Sequence, residues 1–220
     1  MPPTGAYNAD RASALSGVPR STIHYWSRHE LLAPAVSAEK VKLWSYADLM
    51  GLRIIYWLRQ RKTGEAGAEI PPTSMKAIRR ALDRLRKLDE PLWDDQASVW
   101  VDIHGKIHVK GPAGPETLAG QTLVADAINL IARFSTKEGL RGPDLVRPRP
   151  DLRIVPGRLS GSPHVVHTRL ETRAIYALNR DGLDSSAIRT LYPYVTEPQV
   201  AQALDLERQL EANLAIRIAA

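Results

Sequence analysis

Residues 7–57 read YNADRASALSGVPRSTIHYWSRHELLAPAVSAEKVKLWSYADLMGLRIIYW, and this stretch organises the rest of the chain. It opens with residues 9–16, in which Ala12 and Leu15 fall on one side of a helix. Gly17 then ends that helix, as expected in a tight turn between two helices. Pro19 suits the start of the next helix, where its missing N–H costs nothing. We therefore predict two short helices, over residues 9–16 and 20–28.

The second predicted helix has a buried anchor, Ile23, and a polar outer face. A helix that reads base edges in the major groove of DNA needs short hydrogen-bonding side chains and a guanidinium near its N-terminus. The outer face supplies both. Its residues are Arg20, Ser21, Thr22, His24 and Tyr25.

A two-stranded wing and a third helix are predicted next. A polar loop at residues 37–40 precedes the strand-like residues 41–44, which together favour a β-ribbon. Ser45 fits a helix N-cap, and Asp48 takes a capping-box-like position three residues later, with Asp in place of the usual Glu. Apolar residues at helical spacing then predict a helix from residue 46 to about residue 61.

Together, this helix, turn, wing and cap spacing resembles the N-terminal domain of MerR-type winged helix-turn-helix regulators. The resemblance covers roughly a quarter of the chain, and an all-helical protein-binding module on a similar scaffold is the alternative. The resemblance implies that the outer face of the second helix meets the major groove of DNA and that Lys42 in the wing contacts phosphate. The residues that carry it are Tyr7, Leu15, Gly17, Val18, Thr22, Ile23, Tyr25, Trp26, Leu31, Leu32, Pro34, Leu43, Trp44, Ser45, Asp48 and Leu49.

Composition narrows the class of protein. The chain has 220 residues, 44% of them apolar, which is enough for one large globular domain or two to three small ones. Its formal charge of +6 suits a polyanionic partner, and residues 1–62 hold nine Lys and Arg against four Asp and Glu. The absence of cysteine excludes disulfides and Cys-ligated zinc. No apolar run has the length of a membrane span, so we expect a cytoplasmic protein without membrane contact.

The middle of the chain, residues 66–150, predicts a small α+β segment for spacing or dimerisation. The Pro- and Gly-rich stretch at 63–72 indicates a linker or an exposed turn, and the stretch at 141–150 indicates a second linker. Between them we expect a basic helix over residues 75–89, a hairpin over 98–110 and a helix in the apolar-periodic part of 117–134. The basic residues of the first helix either contact DNA or form a solvated face.

Residues 151–220 predict two short strands followed by three short helices, over 173–181, 185–191 and 197–212, an arrangement like a helix-turn-helix. Thr196 and Gln199 are spaced as a capping box at the start of the last helix. Their spacing is similar to a small bacterial domain of unknown function found in antitoxins of Vap-type toxin–antitoxin pairs, whose toxins are PIN-domain ribonucleases. The family usually has Gly where this chain has His167. The resemblance implies dimerisation and toxin binding. It rests on Ile154, Pro156, Gly157, Gly161, Pro163, Val165, Thr168, Arg169, Gly182, Ile188, Tyr192, Pro193, Val200, Ala203 and Leu204.

The end of the chain, Ile216, Arg217 and Ile218, is predicted to lie on the toxin. A guanidinium from Arg217 would pair with the carboxylates of the acidic metal-binding pocket of a PIN ribonuclease and compete with the metal. A frayed helix end is the alternative. The six histidines lack the close spacing of a zinc site, and no nucleophile elbow, phosphate loop or dinucleotide fingerprint occurs. We therefore expect neither an enzyme, nor a metal, nor a cofactor.

The predicted fold is mainly α with small β elements, divided into a winged helix-turn-helix over 1–65, a middle segment over 66–150 and a helical domain over 151–220. The predicted function is a type II antitoxin, a homodimer or higher hetero-oligomer, that neutralises a PIN-domain toxin and represses its own operon. Arg28, Lys40 and Lys42 would contact phosphates of double-stranded operator DNA, whereas Arg20 and Thr22 would set sequence preference. The alternatives are a one-component regulator whose residues 66–150 bind a small-molecule effector, and an interaction adaptor without DNA affinity.

Overall fold

A computed structural model describes residues 4–63, 69–87, 99–111, 114–117 and 127–216. The fold is mainly α with small β elements, as predicted. Among the described residues, three α-helices belong to the N-terminal part of the chain and three to the C-terminal part, with one between them. Within the described ranges the helices are α1 (Ala9–Ser16), α2 (Arg20–Arg28), α3 (Tyr46–Arg59), α4 (Met75–Arg86), α5 (Thr172–Arg180), α6 (Ser185–Leu191) and α7 (Glu197–Ala215).

The strands are short and all their pairings are antiparallel. A four-stranded sheet of order β5-β4-β3-β6 lies in the middle segment, and the other strands form two-stranded pairs. In β3, Trp100 pairs with His108 of β4 on one side and with Asn129 of β6 on the other. The strands are β1 (Lys62–Thr63), β2 (Glu69–Ile70), β3 (Val99–Asp102), β4 (Ile107–Gly111), β5 (Gly114–Thr117), β6 (Ala127–Asn129), β7 (Phe134–Ser135), β8 (Arg141–Gly142), β9 (Leu152–Arg153) and β10 (His164–Val165).

Local capping explains where the helices begin. The side chain of Asn8 accepts a hydrogen bond from the backbone N–H of Arg11 at 2.8 Å, which satisfies one of the first donors of α1. Ser45 and Asp48 form a reciprocal capping box at α3, and Thr196 and Gln199 form another at α7. Both capping boxes were predicted from the sequence and are confirmed.

Two predictions for the middle segment are wrong. The expected helix in 117–134 is replaced, where the chain is described, by β6 and β7, because residues 127–129 complete the edge of the central sheet. The expected linker over 141–150 is packed rather than exposed: Leu145 and Val146 are buried, and the hydroxyl of Tyr46 donates to the carbonyl oxygen of Leu145 at 2.9 Å. Residues 118–126 lie outside the described residues.

A single arginine joins α3 to the middle segment. Arg53 is fully buried, and its guanidinium donates to backbone carbonyl oxygens of three different stretches of chain. Burial lowers its pKa to about 9, so it stays cationic at neutral pH, and its charge also lies 5.4 Å from the centre of the Phe134 ring. The accepting carbonyls are those of Leu15, Ser16, Leu130, Ile131, Ala132 and Pro143, at 2.7–3.3 Å.

The C-terminal unit packs against α1 as well. Asn213 of α7 is buried, and its side-chain amide donates to the carbonyl oxygen of Ala14 at 2.9 Å. The hydroxyl of Tyr7 donates to the carbonyl oxygen of Gly161 at 2.9 Å. The buried apolar residues form one continuous cluster from Tyr7 to Leu210. The predicted boundaries at 65/66 and 150/151 stay predictions, but the described segments share a core. No described helix has both the length and the apolar character needed to cross a bilayer.

Candidate nucleic-acid interface

The turn between α1 and α2 is held in one conformation. Gly17 has a φ of +76°, which an L side chain rarely adopts, and an added Cβ would lie 2.8 Å from the backbone nitrogen of Gly142. The hydroxyl of Ser13 donates to the carbonyl oxygen of Val18 at 2.7 Å, and Val18 itself is fully buried. The turn therefore fixes α2 relative to the body of the protein.

Helix α2 separates its residues as the sequence predicted. Ile23 and Trp26 are buried in the core. Arg28 is exposed at the C-terminal end of the helix. The predicted base-reading residues form one outer face, in which Arg20, Ser21 and Tyr25 are exposed and Thr22 and His24 are half-buried.

Arg20 forms an ion pair with a residue of α1. Its guanidinium lies 2.8 Å from a carboxylate oxygen of Asp10 in α1, and its Nε lies 3.4 Å from Nε2 of His24. Both partners of the ion pair are about half-exposed, at 59% and 47%. Such a surface pair contributes at most about 1 kcal/mol, so Asp10 holds Arg20 only weakly. The sequence offered no signal for this pair.

His24 is neutral near neutral pH. Partial burial lowers its pKa most, and the nearby cations Arg20, Lys42 and Arg28 lower it further. These cations and the imidazole lie on the face expected to meet DNA. A phosphate placed there would oppose the lowering of the pKa.

The wing is present but minimal. The backbone of Leu43 exchanges hydrogen bonds with Ser37 at 2.8 and 3.1 Å, and this single bridge replaces the predicted pair of strands. Lys40 is exposed near the tip. Lys42 is half-buried, and its ammonium donates to the hydroxyl of Ser27 in α2 at 2.9 Å. Lys42 therefore attaches the wing to α2, a role the sequence analysis missed, and its phosphate contact stays a prediction.

A buried carboxylate fixes the base of the wing. One oxygen of Asp48 accepts hydrogen bonds from the backbone N–H groups of Ala35 at 2.9 Å and Ser45 at 2.8 Å. Burial raises the pKa of Asp48 from its ordinary value, and these hydrogen bonds oppose the increase. The wing and α3 therefore share one anchor.

Helix α4 carries a second basic surface. Its apolar side packs on α3, where Leu82 lies close to Gly51. The exposed residues of α4 and its C-cap, Lys87, include one acid, Asp83, and six bases. The two alternatives predicted for this surface, contact with DNA and a solvated face, stay predictions. The basic residues are Lys76, Arg79, Arg80, Arg84, Arg86 and Lys87.

The other predicted sites are only partly described. Ile216 is 36% exposed just after α7, beside the 45% exposed Leu214, whereas Arg217 and Ile218 lie outside the described residues. Asp102 and His108 are 3.1 Å apart in the central hairpin. Among the residues described, no group of three or more His, Asp or Glu side chains is placed to hold a metal ion.

Two separate parts of the chain match known families. Residues 7–67 match the family of MerR HTH family regulatory proteins. Residues 153–205 match the family described as protein of unknown function (DUF433). Comparison with curated proteins and with solved structures gave no match. The chain thus carries a MerR-family helix-turn-helix domain, typical of DNA-binding regulators, and a C-terminal DUF433 domain, as the sequence predicted.

Proposed function

We propose that this chain, with its MerR-family domain and its DUF433 domain, is a DNA-binding antitoxin that represses its own operon. The observation that carries the DNA-binding part is the outer face of α2, which presents Arg20, Ser21 and Tyr25 to solvent on a rigid helix within the MerR match. A cytoplasmic location and the absence of catalysis belong to the same proposal.

The DNA-binding mode follows from the shape of the domain. A two-fold symmetric dimer would place two α2 helices in successive major grooves, so the operator half-sites would lie about one helical turn apart. Contacts from Arg28, Lys40 and Lys42 to phosphates would make the affinity fall steeply with salt. Arg20 and Thr22 would discriminate between bases.

The antitoxin part rests on the resemblance of the C-terminal unit to antitoxin domains. In this proposal the end of α7 lies on a PIN-domain ribonuclease. Leu214 and Ile216 supply exposed apolar surface there. The guanidinium of Arg217 would pair with carboxylates of the metal-binding pocket and exclude the metal. In this proposal the toxin is neutralised by binding alone, and this chain catalyses no reaction.

Co-expression tests the antitoxin role. The neighbouring reading frame is expressed alone and then together with this protein, and growth is followed. We expect arrest that this protein relieves. Relief should weaken with Arg217→Ala but persist with Arg189→Ala, which removes an exposed arginine of α6. A harmless neighbour would overturn the antitoxin role, and full relief by Arg217→Ala would end the proposed role of that side chain.

A regulator that responds to a small molecule is the second candidate, and one cavity favours it. A cleft of about 560 Å³ lies between α1 and the C-terminal unit. Its lining comes from residues 6–14 and 159–214, so this cleft lies outside the middle segment, residues 66–150, which the sequence predicted as the effector site of such a regulator. A ligand-dependent rise in melting temperature without any protein partner would favour this candidate.

A further inference from the structure

The end of α7 lies beside the start of the proposed DNA-reading helix. Helix α1 runs along the C-terminal half of α7, where Arg11 pairs with Glu207 at 2.7 and 2.8 Å. Further along, the side-chain amide of the buried Asn213 donates to the carbonyl oxygen of Ala14 at 2.9 Å. Because α1 leads directly into α2, these contacts bring together two segments that lie near opposite ends of the sequence.

Both segments line one small cleft. It is lined by Pro19 and Arg20 at the start of α2 and by Leu214 and Ile216 at the end of α7. Its volume is about 130 Å³, which is room for roughly four water molecules and less than the roughly 300 Å³ at which small-molecule pockets begin. The small cleft is therefore a narrow gap between two neighbouring surfaces.

The spacing of the two segments is fixed. The side-chain oxygen of Asn213 accepts a hydrogen bond from the backbone N–H of Arg141 at 2.9 Å, which attaches the end of α7 to β8 as well as to α1. The turn before α2 packs on the same strand, because a Cβ added to Gly17 would lie 2.8 Å from the backbone nitrogen of Gly142. The same strand thus holds both segments, so neither can move away from the other without breaking these contacts.

The two segments differ in chemistry. Arg20 is 59% exposed and offers a guanidinium, which suits the base edges and phosphates of DNA. Leu214 and Ile216 are 45% and 36% exposed, and their side chains have no hydrogen-bond donor for a phosphate. The apolar end of α7 therefore fits a protein partner, as in the proposed function, and does not extend the DNA-binding surface.

A protein on the end of α7 and DNA on α2 both need the surface around Arg20. A stable protein interface buries about 800 Å² on each partner, which corresponds to a patch with a radius of roughly 16 Å. Such a patch centred on Leu214 and Ile216 extends across the small cleft and covers Arg20. A duplex with α2 in its major groove also covers Arg20, because the N-terminal residues of a recognition helix contact the bases.

We propose that a protein partner on the end of α7 and a DNA duplex on α2 exclude each other, because both cover Arg20. This inference rests on the proposed function, in which the partner is the toxin and the duplex is the operator. It adds regulation to that function, since toxin in excess would remove the chain from its operator and allow more of the chain to be made. By linkage, the duplex and the toxin lower each other's affinity by the same factor.

The overlap is tested on the full chain without any toxin. The chain has no cysteine, so Ile216→Cys provides a single attachment point for a polyethylene glycol maleimide. The affinity for a duplex that the protein selects from a random pool is measured before and after coupling. We expect coupling to weaken binding about tenfold, the result if the polymer leaves α2 uncovered for about a tenth of the time. An unchanged affinity after coupling overturns the exclusion.

A control places the same polymer at the other end of α7. Glu197 is 72% exposed and lies about 26 Å from Leu214, at the rise of about 1.5 Å per residue of an α-helix. We expect the polymer on Glu197→Cys to change the affinity by less than about twofold, because this position is remote from the small cleft. Equal losses in the two coupled variants would overturn the assignment of the effect to the end of α7.

The reciprocal test uses the toxin itself. We expect the chain saturated with toxin to bind the selected duplex at least about tenfold more weakly than the free chain does. Sedimentation that shows the duplex and saturating toxin in one particle with the chain overturns the exclusion alone. A chain that selects no duplex, or a neighbouring protein that the chain does not bind, would instead refute the proposed function and this inference with it.

Discussion

Arg11 of α1 and Glu207 of α7, 196 positions apart in the chain, form a two-point ion pair at 2.7 and 2.8 Å. The carboxylate of Glu207 is only 6% exposed and also accepts a hydrogen bond from the hydroxyl of Thr172 in α5. One buried carboxylate thus connects α1, which lies within the MerR-family match, with two helices of the C-terminal unit. The helix behind the proposed DNA-reading face is therefore fixed to the C-terminal unit.

Removing this ion pair should destabilise the whole protein. Arg11→Ala leaves Glu207 buried without its cation, and we expect it to lower the free energy of unfolding by about 2–4 kcal/mol, because an uncompensated buried charge is expensive. Urea denaturation measures the change. The control is Arg173→Ala, whose 73% exposed side chain should contribute less than about 0.5 kcal/mol. Equal effects from the two variants would contradict the structural role of the Arg11–Glu207 pair.

A lysine at position 53 should not replace the hydrogen bonds that Arg53 makes. Arg53→Lys keeps the positive charge but replaces a planar fork of donors with a single ammonium, which cannot reach six carbonyl oxygens in different directions. We expect a loss of about 3 kcal/mol or more in thermal or urea unfolding. Arg59→Lys, at an exposed position on the same helix, should change stability little. A tolerated Arg53→Lys would show that charge alone suffices.

Position 161 should not accept a side chain, because Gly161 is in contact with Tyr7. Gly161 has a φ of +80°, and an added Cβ would lie 2.0 Å from the Tyr7 hydroxyl oxygen. We expect Gly161→Ala to cost about 2–4 kcal/mol, from backbone strain and from displacement of the tyrosine. Gly157→Ala, where nothing lies within 4 Å, is the matched control and should be nearly neutral. Partial rescue of Gly161→Ala by Tyr7→Phe would identify the hydroxyl as the obstacle.

Lys40 and Arg20 should affect DNA binding differently. Lys40 is exposed on the wing, so Lys40→Ala should weaken binding to all sequences alike and reduce the slope of log affinity against log salt by about 1. Arg20→Ala should instead relax base discrimination by about 1–3 kcal/mol at one position of the site. Lys40 is a better position than Lys42 for testing phosphate contact, because Lys42→Ala also removes the hydrogen bond between the wing and Ser27. Anisotropy titrations at several salt concentrations would show the difference, and identical effects would contradict this division of roles.

His24 should make DNA binding and stability respond to pH in opposite directions. Burial and the neighbouring cations hold its pKa below the ordinary 6.5 in the folded protein. The unfolded chain therefore binds more protons, so this residue's contribution to stability is complete above about pH 6.5 and is lost as the pH falls. Phosphate contact would raise the pKa of His24, so DNA affinity should increase as the pH falls.

Affinity and melting temperature measured between about pH 8 and pH 5.5 test this linkage. His24→Gln should flatten the dependence of DNA affinity on pH. His29→Gln, at the exposed end of α2, should leave it in place. If the DNA affinity of the His24→Gln variant still depends on pH, another group is responsible for the titration.

The sequence by itself determined the parts of this protein that depend on local spacing. Gly17 ends α1, and Ser45 and Asp48 begin α3, through hydrogen bonds to backbone groups a few residues away, so the helix-turn-helix and its outer face could be predicted. The same holds for the capping box at Thr196. Each of these features satisfies its backbone groups without help from distant residues.

Only the tertiary structure decided how the segments join. Residues 127–134 have helical periodicity, but pairing with β3 and burial against the guanidinium of Arg53 outweigh that local preference. Arg53 and Glu207 lie in helices without any local pattern that predicts their burial, and their buried partners lie up to 196 positions away. The cleft and the Asp10–Arg20 pair likewise exist only once α1 is packed. Burial makes such distant contacts strong, and no local pattern in the sequence specifies them.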